Sequence, residues 1–466
     1  MQFPIVAPAP LVVTHAAAFR DLFENRCQFR HFQQYLTGLM VLDNKSLANI
    51  ARCVLDSADK TNLSRFLSSA PWQEAEVNDR RISYLLEQTA TRRRPVRDAA
   101  LLLDDTLCEH VGTLFAYVDR HYNHGDGTYP LAHNPVTSHY VSGAVRFPVD
   151  LRRYRRYEEL TRWEDFVRQH CPDRPLPTAK QERAKLHKAV DPVLLADPAF
   201  RALHDQFRTK IDLGIALVDR AVERQLPFGV VLMDSWYLAE ELVAALAAHK
   251  KDWVSLLKRN RHLETASFAL KDAAGHPLAL PGPHIQVQAL VPQIPRAAYR
   301  AVQVGAQTYW CFTLAVRLPN LGKVRLVISF ANAELSGSYA VLVTNRADWG
   351  ATKILATYLL RWPVETFYQD GKTHLGLDEC RMRNAEAIGK HWCLVFVAYS
   401  FLHLECLPPS PKKGRLPIKT IGQACRQQAQ ALLQALILRA HEQLQRGQHA
   451  AAVFEALFAK HGLAVT

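Results

Sequence analysis

An aromatic, an acidic and two basic side chains lie at near-helical spacing between residues 358 and 372. They are Tyr358, Arg361, Glu365 and Lys372, in the pattern Tyr-x2-Arg-x3-Glu-x6-Lys. At about 100° per residue, a continuous helix would place all four on one narrow face. Such an alignment predicts a site built around the carboxylate. The alternative is an amphipathic surface helix with an ordinary mixture of charges.

A proline interrupts this pattern. Pro363 has no N–H to donate to the carbonyl four residues earlier, and it disfavours the helical conformation for Trp362. The helix therefore either bends here or begins afresh at Pro363, which would put Glu365 in a first turn. Glu365 and Lys372 lie two turns apart and stay aligned in either case.

Two further acids end short apolar runs. Asp104 closes LLLD and Asp234 closes VVLMD, and each run is typical of a buried strand that brings an acid to the end of a sheet. Hard divalent cations prefer oxygen ligands, and two ions about 3.5–4 Å apart can activate a water or a 3′-hydroxyl in phosphoryl transfer. Two strand-end aspartates and Glu365 would suit that chemistry. A chance triple among the 44 acidic residues is the alternative.

The overall composition indicates a polyanionic partner. The chain has 466 residues and a formal net charge of +13, and an excess of Lys and Arg supplies the phosphate-neutralising part of nucleic-acid binding. Nine scattered cysteines without a CxxC pair argue against a disulfide or zinc framework. The chain begins without a basic n-region, and no apolar run approaches the ~18 residues of a membrane span. These features predict a cytoplasmic protein.

The N-terminal part is predicted to be helical, since apolar residues recur at helical spacing from about residue 11 to residue 88. Residues 46–55 and 62–67 flank a DSADKT turn and have the size of a helix-turn-helix; a plain helical hairpin is the alternative. A helix-turn-helix would present to DNA the side chains of Asn62, Ser64, Arg65, Lys45 and Lys60.

Beyond the basic run at residues 91–97 the pattern mixes strands and helices. We predict, in order, antiparallel strands joined through NHGDGT over residues 101–149, a helical excursion over 152–205, a helix over 207–224, a strand-acid-helix-strand unit over 228–258, an all-β region over 262–345, an apolar helix after residue 390, a breaker at 408–417 and Gln- and Ala-rich helices to residue 462.

The pattern of Tyr358, Arg361, Glu365 and Lys372 resembles the signature of bacterial insertion-sequence transposases that carry a DDE active site on a ribonuclease H-like fold. LLLDDT resembles the motif of their first acid and VVLMDSWY that of their second. A β region before the glutamate is also a feature of that group. The resemblance spans roughly residues 98–400, and the helical N-terminal domain is similar in kind.

This resemblance implies roles for the three acids. Asp104, Asp234 and Glu365 would be catalytic and would hold two Mg²⁺ ions, with Mn²⁺ as a substitute. Asp104 is preferred to Asp105 because the fold's pattern is Asp-x-Thr/Ser, which Asp104, Asp105 and Thr106 satisfy. Asp105 would then tune the affinity for metal or point into the other face of the sheet.

The resemblance also implies how DNA is held. Tyr358, Arg361 and Lys372 would bind phosphates of the transposon end, Arg361 in a bidentate manner and Lys372 as a point charge. In the family, an aromatic side chain in or near the β region stacks on a flipped base. Trp310 and Trp349 are the candidates here, and packing in the core is the alternative for each.

The implied fold class is α/β (α+β): a ribonuclease H-like catalytic core with a β-strand insertion, a helical N-terminal DNA-binding domain and a helical C-terminal tail. The boundaries expected for the N-terminal domain, catalytic domain, insertion and tail are residues 1–95, 96–261 with 346–407, 262–345 and 408–466.

The implied function is cut-and-paste transposition of an insertion sequence, by metal-dependent strand cleavage and transfer of the 3′-hydroxyl. The partners would be double-stranded DNA, both transposon ends and target, and a second copy of the chain in a synaptic homodimer, with no membrane. The location would be the bacterial cytoplasm, at the nucleoid. A related nuclease lacking strand transfer and a non-catalytic, domesticated DNA-binding protein are the alternatives.

Overall fold

Strands and helices alternate through the middle of the chain, and helices occupy both of its outer parts. A computed structural model of the protein describes residues 3–55, 60–93, 95–123, 125–272, 274–407 and 418–458. The strands are β1 (Ala100–Asp105), β2 (Cys108–Glu109), β3 (Asp119–Arg120), β4 (Leu131–Ser142), β5 (Val145–Tyr154), β6 (Val230–Met233), β7 (Asp252–Leu256), β8 (His262–Glu264), β9 (His284–Gln286), β10 (Arg300–Val304), β11 (Gln307–Leu318), β12 (Gly322–Phe330) and β13 (Tyr339–Thr344).

The helices are α1 (Pro10–Ala16), α2 (Arg26–Val41), α3 (Leu47–Cys53), α4 (Lys60–Ser68), α5 (Glu74–Gln88), α6 (Tyr157–Thr161), α7 (Trp163–His170), α8 (Lys180–Leu194), α9 (Pro198–His204), α10 (Lys210–Glu223), α11 (Glu240–Ala248), α12 (Val287–Leu290), α13 (Ala351–Leu359), α14 (Trp362–Leu375), α15 (Ala385–Cys406), α16 (Ile421–Gln445) and α17 (Ala450–Phe458).

Five strands form the centre of a large mixed sheet, in the order β5-β4-β1-β6-β7. β4 is antiparallel to both of its neighbours, whereas β1, β6 and β7 run parallel. The runs that end in Asp104 and Asp234 are the strands β1 and β6, so both predicted buried strands are confirmed.

β1 is apolar along its whole length because both faces of the sheet are covered. Leu102 packs in a cluster with Val364 of α14 on one face. Leu101 and Leu103 pack with Leu217 of α10 on the other. Successive residues of β1 therefore belong to two different cores, and this alternation decides which way each acid at its end points.

The predicted β insertion continues the central sheet. β13 pairs antiparallel with β7, and β12, β11 and β10 follow outward. The prediction that the region is all-β is corrected by α12, which directly follows β9. Val287 and Leu290 are three residues apart, and helical spacing buries both side chains on one side.

The predictions for residues 101–149 are confirmed only in part. The segment between β1 and β4 is mostly irregular, with β2 and β3 as two-residue strands on β4, because Val111 and Leu114 are 100% and 65% exposed and have no sheet face to pack on. The prediction that NHGDGT joins antiparallel strands is confirmed, since this turn connects β3 to β4 and the backbone N–H of Asn123 donates to the carbonyl of Thr128 at 2.9 Å; His124 lies outside the described residues. A second hairpin turn, at residues 143–144, connects β4 to β5. Gly143, at φ +59°, supplies the left-handed conformation that this turn needs.

The N-terminal and C-terminal helices share one core, with α15 packed against α2, α4, α5 and α16. By length and composition α15 could cross a membrane, which corrects the expectation that no apolar run is long enough. Its apolar window is 89% buried inside the protein. That degree of burial is typical of a central core helix.

α3 and α4 occupy the predicted helical pair, and residues 56–59 of the turn lie outside the described residues. Arg65 is exposed on α4. The prediction that Lys45 lies beside DNA phosphates is wrong: the side chain is buried, and its ammonium donates to the carbonyl of Leu42. The predicted breaker at 408–417 and the end of the tail at 459–466 also lie outside the described residues.

Candidate active site

Asp104 and Asp234 lie side by side at the carboxyl ends of two neighbouring parallel strands. β1 pairs with β6 through Leu102 opposite Leu232, and each aspartate lies two residues further along its chain. Because side chains alternate along strands about 4.8 Å apart, both carboxylates point to the same face of the sheet. The register of the two strands thus brings together two acids that are far apart in the sequence.

The turn after β6 holds the carboxylate of Asp234. Its Oδ1 accepts hydrogen bonds from the backbone N–H groups of Trp236, at 2.9 Å, and Tyr237, at 3.3 Å. The hydroxyl of Ser255 on β7 donates to the backbone carbonyl of Asp234 at 3.0 Å. Aspartate commonly shapes turns by bonding to the backbone two residues on, and here that bond orients the carboxylate at the strand end.

Glu365 approaches this place from α14. The helix begins at Trp362 with Pro363 in its first turn, so the chain starts a fresh helix there instead of bending one, and Glu365 lies in the first turn as that alternative predicted. Arg361 immediately precedes the helix. Its Nη2 lies 2.6 Å from Oδ2 of Asp104, and its Nη1 lies 3.0 Å from Oε1 of Glu365. One guanidinium therefore bridges a strand acid and the helix acid.

Two contacts fix α14 beside the end of β1. The half-buried Tyr368 and the buried Thr137 share a hydrogen bond between their hydroxyls at 2.5 Å, and Thr137 is the residue of β4 directly opposite Asp104. Lys372 donates to the carbonyl of Leu107 at 2.7 Å. The first turn of α14, with its acid, is thereby held at the edge where the strand acids lie.

The side chains of this site interact strongly through their charges. Burial raises the pKa of Asp104 to about 7; the guanidinium of Arg361 opposes this rise and neighbouring carboxylates add to it. Burial lowers the pKa of Arg361, but the charges of Asp104 and the other acids outweigh it and raise that pKa overall. Burial also raises the pKa of Tyr358 to about 12. Asp104, Asp234 and Glu365 all act on both Arg361 and Tyr358, so the five groups form one electrostatic unit.

Two polar atoms of this unit are buried and have no hydrogen-bond partner among the described residues. They are the hydroxyl of Tyr358 and Nε of Arg361. Most buried polar groups in proteins are hydrogen-bonded, and exceptions often mark a functional site or a missing ion or water. Both are donors whose hydrogen bonds the protein itself does not satisfy among the described residues.

The donor set suits a hard divalent cation such as Mg²⁺ or Mn²⁺, because it consists of carboxylate oxygens. Within the described ranges, no three His, Cys, Asp or Glu side chains are gathered closely enough to hold a metal ion. The guanidinium of Arg361 lies between Asp104 and Glu365 instead. The residues therefore fit a divalent ion by their chemistry, and such an ion would take the place of the guanidinium.

Asp105 points to the opposite face of the sheet. It accepts hydrogen bonds from the ammonium of Lys210 at 2.7 Å, the amide of Asn134 at 2.9 Å and the hydroxyl of Tyr237 at 2.9 Å. Burial raises its pKa, but the charge of Lys210 and these hydrogen bonds outweigh that effect and lower the pKa overall. Of the two alternatives for Asp105, the structure shows the second: the side chain points into the other face of the sheet.

Three residues that the sequence suggested for DNA binding lie away from the acids. Arg65 is on α4 in the helical region. Trp310 is on β11, separated from β6 by three strands, and packs half-buried against the core. Trp349 lies next to the cations of Arg346 and Lys353. The structure does not bring these side chains to the carboxylates.

Sequence reasoning missed an aromatic residue that does lie beside the acids. Trp236, two residues after Asp234, is 54% exposed. The ammonium of Lys258, just beyond β7, lies 5.0 Å from the centre of its ring, and Arg259 and Arg261 follow in the same exposed loop. The signal was present in the sequence, since Trp236 lies within the second acid motif, VVLMDSWY.

Comparison with known protein families gives a match to the DDE superfamily endonuclease model over residues 18–308. The match includes Asp104 and Asp234 and ends before Glu365. No curated protein matches the chain.

Proposed function

Because the chain belongs to the DDE superfamily endonuclease family, and is thereby a nuclease in type, we propose that it is a transposase. It would catalyse cut-and-paste transposition of an insertion sequence by metal-dependent strand cleavage followed by transfer of the 3′-hydroxyl. The observation that carries the proposal is that Arg361 bridges Asp104 and Glu365 at the end of the sheet where Asp104 and Asp234 follow neighbouring parallel strands.

The strand order supports the proposal. The arrangement β5-β4-β1-β6-β7, with an antiparallel half and a parallel half, is consistent with a ribonuclease H-like core. Ligands of open sheets bind beyond the carboxyl ends of parallel strands. The two aspartates lie at that position on adjacent parallel strands.

The proposed division of labour follows from the side chains. Asp104, Asp234 and Glu365 would hold Mg²⁺ or Mn²⁺, which supplies an activated water or 3′-hydroxyl and stabilises the leaving oxygen when bound. Arg361, once released from the carboxylates, presents a planar pair of donors that fits a phosphate. Tyr358 has a buried hydroxyl that gains a partner when a phosphate oxygen comes near.

Double-stranded DNA is the proposed partner. Trp236 and the loop of Lys258, Arg259 and Arg261 adjoin Asp234 at the open end of the sheet. Cations neutralise backbone phosphates, and an exposed aromatic ring gives a base a surface to stack on, worth about 1–3 kcal/mol per base. Trp236 therefore replaces Trp310 and Trp349 as our candidate for base stacking. Both ends of the element must be cut and then joined to the target DNA. The proposal therefore includes a homodimer that holds the two ends.

The test uses a supercoiled plasmid that carries the DNA found on both sides of the coding region. We expect the wild type with Mg²⁺ to cut at the flanks and to join the freed ends to target DNA. Glu365→Gln and Asp234→Asn should bind the same DNA without cutting it. Glu240→Gln, on the exposed first turn of α11, is the control and should cut normally.

Each alternative function gives a different result in this assay. Binding without cleavage by the wild type would favour a non-catalytic DNA-binding protein. Cleavage without joined products would favour a nuclease that lacks strand transfer. Cleavage that persists in Glu365→Gln would contradict the site assignment, though not the family.

A further inference from the structure

Asp105 is the centre of a buried network directly behind the carboxylates of the proposed site. Its three donors come from three separate elements: Lys210 begins α10, Asn134 lies on β4, and Tyr237 lies in the turn after β6. Tyr237 is completely buried, and the side chains of Asp105 and Lys210 are each only 20% exposed. Both oxygens of Asp105 are engaged on this face, so Asp105 does not reach the site itself.

A continuous path of hydrogen bonds runs from one strand acid to the other through this network. The backbone N–H of Asp105 donates to Oδ1 of Asp104 at 2.9 Å. The hydroxyl of Tyr237 donates to Oδ1 of Asp105 at 2.9 Å, and the backbone N–H of Tyr237 donates to Oδ1 of Asp234 at 3.3 Å. Asp105 and Tyr237 thus each hold one acid of the site and are bonded to each other.

The position of this path matters because β1 and β6 stop pairing before they reach the acids. The register between the strands ends at Leu102 opposite Leu232, two residues short of Asp104 and Asp234. The strand pairing therefore does not extend to the carboxylates themselves. The bond between Tyr237 and Asp105 directly connects the two chain segments at the level of the acids.

We propose that Asp105 and Tyr237 are positioning residues that clamp the ends of β1 and β6 and so set the separation and orientation of Asp104 and Asp234. This inference rests on the proposed metal-dependent reaction, in which both aspartates hold the same ions. Lys210 donates to the Asp105 carboxylate and holds it in place, and the capping box at Thr209 fixes the start of α10 that carries Lys210. Groups that orient metal ligands typically change metal affinity or activity 10–100-fold when removed.

The primary variant is Tyr237→Phe, which removes one hydroxyl and keeps the buried ring. We expect the dissociation constant for Mn²⁺, measured by calorimetry on the full chain without DNA, to rise about 10–100-fold. The affinity for DNA without metal should stay unchanged. Tyr140→Phe is the matched control, because Tyr140 is equally buried in the same sheet and donates to the carbonyl of Pro227. It should leave the Mn²⁺ affinity unchanged.

A second set of variants separates positioning from ligation. Asp104→Cys should lose Mg²⁺-dependent cleavage and regain part of it with Mn²⁺, because thiolates prefer softer ions. Asp105→Cys should show no such selective rescue. The double variant Asp105→Ala with Tyr237→Phe should bind Mn²⁺ no more weakly than Asp105→Ala alone, since the loss of the acceptor already removes the bond through which the two residues act.

The outcomes distinguish the clamp from the function on which it rests. Wild-type Mn²⁺ affinity in Tyr237→Phe, or selective rescue of Asp105→Cys by Mn²⁺, would overturn the clamp. A wild type that binds Mn²⁺ but cuts no DNA would remove the proposed function, and weaker binding in Tyr237→Phe would still support the clamp. A wild type that binds no divalent ion would overturn both.

Discussion

Arg361 is the residue on which metal binding at the proposed site depends. Its guanidinium makes charge-assisted bonds to Asp104 and Glu365 and competes with any cation for those oxygens. Hydrogen bonds to charged groups contribute about 1.5–3 kcal/mol. We predict that Arg361→Met binds Mn²⁺ roughly tenfold more tightly than the wild type in calorimetry without DNA, since about 1.4 kcal/mol corresponds to a factor of ten.

The competition between Arg361 and the metal ion can also be tested through the effect of DNA on Mn²⁺ affinity. A DNA phosphate would draw the guanidinium away from the carboxylates, so a duplex oligonucleotide should tighten Mn²⁺ binding in the wild type and have less effect in Arg361→Met. Thr366→Val, on the exposed side of α14, is the control. Weaker Mn²⁺ binding in Arg361→Met would mean that the arginine organises the acids and does not compete for them.

At the scale of single residues, the sequence predicted which residues lie at strand ends and helix starts better than it predicted where their side chains point. The strand-end position of Asp104 and Asp234 and the first-turn position of Glu365 followed from apolar runs and from Pro363. The side to which Asp105 points did not, because neighbouring residues of a strand face opposite ways and only the packing of β1 between two cores decides which face is which. The bridge made by Arg361 depends on the same tertiary packing.

The C-terminus of α14 shows how an element is kept in place at the site. Gly376 follows the helix with φ +69°, and an added Cβ there would lie 2.8 Å from Cβ of the buried Lys45. We predict that Gly376→Ala lowers the free energy of unfolding by roughly 2–5 kcal/mol: about 1–2 for the left-handed conformation and about 1–3 for overpacking. Thermal denaturation measures the loss.

A second glycine provides the control for this prediction. Gly447 also has a positive φ, +84°, after α16, but no atom lies within 4 Å of the position that its Cβ would occupy. Gly447→Ala should therefore show only the conformational cost of about 1–2 kcal/mol. Equal losses in the two variants would show that Lys45 gives way and that its contact does not fix the end of α14.

At the level of elements, helices and buried strands were predictable and edge segments were not. Apolar spacing indicated α10, the spacing of Glu365 and Lys372 with Pro363 indicated α14, and continuous apolar runs indicated β1 and β6. The segment between β1 and β4 alternates like a strand, yet Val111 and Leu114 are exposed there. Alternation indicates a strand only where a neighbouring strand and a covering layer exist, and neither can be read from the segment itself.

For the molecule as a whole, the sequence could not show how distant segments join. β13 extends the central sheet by pairing with β7, so the predicted insertion widens the sheet that carries the acids. Helices from both outer parts of the chain build one core around α15. Both features are contacts between residues far apart in sequence, and hydrophobic periodicity specifies which face is buried but not what covers it.

The fold places some of the excess positive charge of the chain, which totals +13, close to the proposed site. The exposed loop of Lys258 and Arg261 lies beyond β7, beside Asp234, whereas Lys188 on α8 follows β5 at the opposite edge of the central strands. We predict that Lys258→Gln with Arg261→Gln weakens DNA binding on all sequences alike. Each lost phosphate contact should also lower the slope of log K against log salt concentration by about 0.9.

Fluorescence anisotropy with a duplex oligonucleotide, at several salt concentrations and without metal, measures this slope. Lys188→Gln removes a positive charge while leaving the edge with the acids intact, so it should shift the affinity little and keep the slope. If the double variant and the control behave alike, DNA binding follows the net charge of the protein and not a track beside the acids. If only the double variant loses slope, the DNA backbone passes over the end of β7, within reach of Trp236 and the proposed metal ligands.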